Sequence, residues 1–174
     1  LAFHLSEVVM EIQQIDPIAF RNALGQFATG VTVVTTLAGN EQQVGMTANS
    51  FNSVSLSPPL VLWSIGKNST NYVEFFESKY FAIHILGAGQ DATSNQFAQK
   101  DGDRFANIEC RSGINNLPIL PDFAACFQCS MEHRYDGGDH TILVGRVIDF
   151  ESRDHAPLLF HSGSYAELDK RKKR

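Results

Sequence analysis

No apolar run in this chain approaches the roughly 20 residues that a membrane-crossing helix needs, and its start carries neither the basic stretch nor the apolar centre of a secretion signal. These absences predict a cytoplasmic protein without membrane contact. Cysteine is scarce and odd in number: three residues cannot form a disulfide framework and suit a reducing compartment. Basic residues are also in deficit, with 14 Lys and Arg against 19 Asp and Glu. The net charge of −5 excludes a protein whose main partner is nucleic acid, because phosphate binding needs a basic face. The one basic run, "KRKKR" at residues 170–174, reads as a solvated tail.

Several catalytic signatures are missing as well. "GKNST" lacks the earlier glycine, and the serine directly after lysine, of a nucleotide-binding P-loop. Serine-hydrolase elbows and the H-E-x-x-H metal helix are absent, as are repeats and low-complexity segments. "CFQC" at residues 126–129 sits in a strand-like segment with no second ligand pair, so Cys126 and Cys129 read as sheet cysteines and no metal is expected. "GAGQDA", residues 87–92, matches a dinucleotide fingerprint in spelling, and Glu109 even follows at the ribose-binding distance. Asp91, however, would set a negative charge where a pyrophosphate belongs, and no βαβαβ series surrounds it.

What is present is mostly strand. "DPIAFRNALGQFATG" opens on Asp16 as N-cap and Pro17 at the first helical position, followed by an amphipathic pattern. "VTVVTTLAGNEQQVGMTANSF" gives a hairpin turning at Gly39-Asn40, and "LVLWSI" a buried strand after Pro58-Pro59. "NSTNYVEFFESK" is a short helix in which Asn71 and Glu74 have capping-box spacing. "YFAIHIL" is a strand, "DATSNQFAQ" a helix, and residues 123–135 and 141–150 pair around "DGGDH" before a final strand in "PLLFHSGSYAEL". The expected fold class is mainly β with peripheral helices, a barrel that spares six or more strands their open edges. One domain over residues 16–168 is expected, with an N-terminal extension at 1–15 and a basic tail at 169–174.

The stretch "GMTANSFNSVSL" is unusual. Read as one strand, it places Met46, Ala48, Ser50, Asn52, Val54 and Leu56 on one face and Thr47, Asn49, Phe51, Ser53 and Ser55 on the other. Neither face is purely apolar, so these polar groups meet solvent, backbone or a polar ligand. "SIGKNST" brings Lys67 and several hydroxyls and amides to a helix start, which is either ordinary capping or an anion site. Jointly, the two segments outline a flavin nucleotide: a planar hydrogen-bonding head followed by a phosphate. In "DGGDHTILVGRV", His140 leaves a glycine turn, either as a surface polar group or to position a dinucleotide or a proton.

Taken in order, "FATGVTVVTT", "GMTANSFNSVSLSPPLVLWSI", "KNST", "FAIHILGAGQ" with "SNQFA", "DRF" and "GDHTILVGRV" resemble the short-chain flavin reductases, the reductase components of two-component flavin monooxygenases. The resemblance covers about residues 16–168. It implies a split β-barrel of the FMN-binding type, a homodimer, and an NAD(P)H-dependent enzyme that reduces FMN or FAD with NADH or NADPH. Reduced flavin would then pass by diffusion to a separate oxygenase component. By the same resemblance, Thr47, Ala48, Asn49 and Ser50 line the isoalloxazine and ribityl chain with Ser64 and Ile65 nearby, while Lys67, Asn68, Ser69 and Asn71 lie towards the phosphate. Arg104 and Phe105 approach the flavin, and His140 approaches the nicotinamide without serving as an obligatory acid or base. The ending "HSGSY" departs from the family's usual one and leaves Tyr165 without a role. The alternative is a non-catalytic flavin carrier or sensor on the same barrel.

Overall fold

The computed structural model describes residues 15–168. Nearly all of the expected N-terminal extension and the whole basic tail lie outside the described residues. Helix α1 (Pro17–Leu24) begins as its sequence dictates: the Asp16 carboxylate accepts the amide protons of Ile18 and Ala19 at 2.8 and 3.4 Å, and Pro17 occupies the first turn. Strands β1 (Thr29–Gly30), β2 (Thr32–Leu37), β3 (Gln43–Ala48), β4 (Asn52–Leu56) and β5 (Pro59–Gly66) follow, then α2 (Tyr72–Glu77), β6 (Tyr80–Ile85) and α3 (Asp91–Ala98). The chain ends with β7 (Arg111–Ser112), a 3-10 turn (Ile114–Asn116), β8 (Pro118–Ile119), the long pair β9 (Ala125–Gly137) and β10 (His140–Ser152), and the hairpin β11 (Leu159–His161) and β12 (Ser164–Ala166).

Seven strands form one antiparallel sheet in the order β3-β2-β6-β9-β10-β5-β4. Its two edges, β3 and β4, are consecutive in the chain and joined by residues 49–51. Laid flat, seven strands would set those edges roughly 29 Å apart. The four residue steps from Ala48 to Asn52 reach at most about 14 Å. The sheet therefore curls until its edges meet, and because β3 and β4 do not pair, the result is a split barrel.

This closure corrects the one-strand reading of residues 45–56, which break at residues 49–51 to cross from one sheet edge to the other. β5 also differs from the fully buried strand expected: Val61, Trp63 and Ile65 are buried, whereas Leu62 and Ser64 are only partly covered. The last described strands form a hairpin rather than a lone strand, with β11 paired to both β1 and β12. The fingerprint-like glycines lead from β6 into α3, but β6 pairs antiparallel on both sides, so no dinucleotide-binding crossover exists there.

The barrel interior holds Val34, Val61, Trp63, Ile65, Phe81, Ile83, Cys129 and Leu143, with Phe75 of α2 packed in among them. Trp63 meets Phe75 edge to face at 4.9 Å. Outside the barrel, α3 contributes Phe97 to a second cluster with Val31, Val33, Leu86, Leu120 and Leu158. Cys126 belongs to a third cluster with Phe123 and Ile119, separate from Cys129. Burial pushes both thiols up to about 12, which keeps them protonated and unreactive at neutral pH.

Candidate active site

Strand β5 carries the first group of expected site residues. Ser50, in the link between β3 and β4, accepts the Ser64 amide proton at 2.9 Å and donates its own to the Ser64 carbonyl at 3.0 Å. One hydroxyl thus fixes the crossing chain against β5, leaving Asn49 exposed beside it. Thr47 is spent on structure: its hydroxyl donates to the Ser94 carbonyl of α3 at 2.6 Å. The Ala48 carbonyl is likewise engaged, accepting from Thr32 Oγ1 at 2.6 Å. Ile65 turns its side chain wholly into the core, so it offers a ligand only its backbone.

At the end of β5, Gly66 pairs with His140, the first residue of β10. A side chain at Gly66 would stand 3.1 Å from Asn68 Oδ1 and 3.6 Å from His140 Nε2, so its absence keeps open a shallow cradle between the two. His140 Nδ1 lies 2.7 Å from the Asp139 carboxylate. A carboxylate only accepts, so this contact places a proton on Nδ1 and leaves Nε2 towards Gly66. The same contact holds the Asp139 carboxyl below its ordinary range. Lys67 is anchored twice: its amide donates to the Asp139 carbonyl at 2.9 Å, and its ammonium is paired with Asp136. The Asp136 hydrogen bond raises Lys67 above its usual range, and Lys67 lowers Asp136 in turn.

A second group converges on one carbonyl. Gly45 O accepts from Asn71 Nδ2 at 3.1 Å and from Arg104 Nη1 at 2.8 Å. This overturns the capping-box reading of Asn71, whose side chain makes no cap hydrogen bond because the Gly45 carbonyl takes it. The helix start relies instead on Ser69 Oγ, which accepts the Asn71 amide proton at 3.3 Å. Arg104 also donates through Nε to the Gln99 carbonyl at 2.8 Å, bracing residues 99–105 against β3, and burial lowers its guanidinium. Phe105 packs edge to face on Phe97, 5.0 Å between centroids, over Gly45. A Cβ on Gly45 would come within 2.6 Å of the Phe97 ring.

Gly45, Thr70, Asn71, Arg104 and Phe105 line one cleft of about 510 Å³. A slightly larger cleft of about 560 Å³, between residues 36–42 and α2, contains none of the expected site residues, and size alone is a poor guide here. Neither cleft reaches Ser50, Ser64 or His140, so the structure brings the expected residues together as two neighbouring groups. Sequence reasoning missed the partners that orient them. Asp136 and Asp139 were legible as turn residues, but nothing in the sequence showed that Tyr165 would reach Ser94. Tyr165 closes over α3, with its hydroxyl 2.9 Å from Ser94 Oγ and 2.8 Å from Asn95 Oδ1. It thereby ties the final hairpin to the helix that holds Thr47.

The donor set fits a flavin nucleotide. Exposed amides at Asn49 and Asn68, an exposed lysine and a side-chain-free Gly66 offer hydrogen bonds, charge and close backbone approach. The flavin reductase-like domain family matches residues 24–169. The FMN reductase (NADH) SmoA of Agrobacterium fabrum is 45% identical over 152 residues, covering 87% of this chain and 86% of that protein. The reductase component of the flavin-dependent trigonelline monooxygenase of Acinetobacter baylyi is 44% identical, covering 83% of this chain but 47% of its own length. The chain thus spans nearly all of one relative and about half of the other. Among solved structures, the NADH:FAD oxidoreductase SgcE6 of Streptomyces globisporus, in complex with NAD and FAD fragments, superposes with a TM-score of 0.84 at 36% identity, covering 91% of this chain and 98% of that one. On the family match and these relatives together, the chain belongs to the flavin reductase-like domain family.

Proposed function

We propose that this chain is an NAD(P)H:flavin oxidoreductase that reduces FMN or FAD and supplies the reduced flavin to a separate monooxygenase component. The observation that carries this reading is near-full-length similarity to an NADH-dependent FMN reductase, on a barrel shared with an NADH:FAD oxidoreductase. When bound, the nicotinamide and the flavin supply the hydride chemistry themselves, from C4 of one to N5 of the other. The protein's residues hold and align. Asn49, Ser64 and the backbone at Ala48 and Ile65 serve the ring and ribityl chain, while Ser50 holds the crossing chain against β5. Lys67, Asn68 and Ser69 serve the phosphate. Asn71, Arg104 and Phe105 keep the neighbouring loop against β3. His140, with its tautomer fixed by Asp139, presents Nε2 to the nicotinamide side, where alignment accelerates transfer by proximity.

The partner in assembly is a second copy of this chain. Helix α1 has an apolar face in its sequence yet buries no residue: Ile18 is 72% exposed, and Phe27 just beyond the helix 75%. A row of stacked rings, Phe51, Phe127 and Phe150, ends with Phe150 67% exposed. Exposed apolar patches of this kind are what a homodimer covers. The Ser50, Ser64 and His140 group is itself only partly covered on a single chain. Three free thiols favour a cytoplasmic location. Among the described residues, no helix is long and apolar enough to cross a membrane.

The test of supply keeps an oxygenase component that requires reduced flavin behind a dialysis membrane from this protein, with NADH and flavin on both sides. Product formation across the membrane is expected. Product only when the two proteins share a compartment would replace diffusion by a contact complex, and none in either arrangement would refute the supply role.

A further inference from the structure

Lys67 is the cation expected at the flavin phosphate, yet its ammonium already has a partner. It is paired with Asp136 at the end of β9, while its own backbone amide is held by the Asp139 carbonyl across the same turn. The mutual shifts of Lys67 and Asp136 agree in direction with a formed pair. Asp139 is a second carboxylate within the field of Lys67, and its hydrogen-bond partner is the neighbouring His140. Lys67 thus faces two carboxylates, Asp136 and Asp139, whose negative charge opposes an arriving phosphate.

We infer that Asp136 is an affinity-setting residue: it competes with the flavin phosphate for Lys67 and keeps the bound flavin easily released. This rests on the proposed placement of the phosphate near Lys67. The physics is simple exchange. Lys67 and Asp136 are both well exposed, so their pair is weak and yields to a dianionic phosphate. Each nucleotide that binds must nevertheless share Lys67 with Asp136 and set its phosphate beside that carboxylate. For a protein that hands its flavin onward, such a competitor shortens residence without touching the ring.

The experiment measures dissociation constants of FMN and FAD by fluorescence titration, with riboflavin as the phosphate-free control. The proteins are the wild type, Asp136→Asn, Lys67→Gln and the double variant. Asp136 sits at an exposed turn, so its amide replacement is compatible with folding. The expected result is FMN and FAD binding about threefold or more tighter in D136N, riboflavin unchanged, and a smaller gain from D136N in the K67Q background, where only the direct repulsion remains. Unchanged or weaker nucleotide binding in D136N, with K67Q still weakening it, would overturn the inference while leaving Lys67 at the phosphate. Equal tightening of riboflavin would also overturn it, since the effect would then not act through the phosphate. Nucleotide binding unaffected by K67Q would refute the placement of the phosphate itself, and the inference with it.

Discussion

His84 shows how a single buried residue ties stability to pH. It is fully buried in β6, with Nδ1 3.0 Å from the Val33 carbonyl and Nε2 accepting the Leu120 amide proton at 3.2 Å. That pairing requires the neutral ring with its proton on Nδ1. Burial, opposed in part by the Val33 contact and assisted by Arg111, lowers its pKa from 6.5 to about 4. The folded value is depressed, so between pH 6.5 and 4 the unfolded chain takes up a proton that the folded protein refuses. Stability from this group is complete above pH 6.5 and is lost as pH falls through that window, by about 3 kcal/mol in total. Urea unfolding at pH 7 and pH 4 should show the loss, and a His84→Gln variant should flatten it. His140 is the opposite case, half exposed and paired to Asp139 at the surface. His140→Ala should raise the KM for NADH about tenfold or more while changing the flavin dissociation constant less than about threefold. Unchanged kinetics would remove His140 from the site.

At the scale of elements, the close approach of α3 to β3 is what the site depends on. Gly45 lets Phe97 and Phe105 pack directly on the strand while its carbonyl gathers Asn71 and Arg104. Gly45→Ala should therefore destabilise by about 1–3 kcal/mol through overpacking and weaken flavin binding, measured by thermal unfolding and by titration. Elements governed by local chemistry were legible in the sequence. Asp16 and Pro17 announce α1 because capping involves only neighbouring residues, and Gly39-Asn40 marks the β2–β3 hairpin for the same reason. The break at residues 49–51 was not legible. No glycine or proline marks it, and it arises because distant strands fill the sheet between β3 and β4. Asn71 misled for a related reason: its spacing to Glu74 is local, but the carbonyl that wins its side chain comes from a strand 26 residues earlier. At the site, the polar crowding of residues 47–50 was visible, whereas the division of labour was not. Thr47 and Ser50 brace the protein, and this follows from partners on α3 and β5 that composition does not reveal.

At the scale of the molecule, the apolar face of α1 and the Phe150 end of the ring stack are exposed. The expected cover is the same surface of a second copy. Sedimentation equilibrium should give a dimer, and a Phe27→Asp/Phe150→Asp variant should shift it to monomer with weakened flavin binding. A monomeric wild type would contradict this. The central claim concerns the reaction, and the most direct test is steady-state NADH oxidation in air by purified protein with added FMN, with added FAD, and with neither. Oxidation that rises with flavin concentration and saturates is predicted. Flavin binding without NADH or NADPH oxidation would contradict the account and leave a flavin carrier on the same barrel.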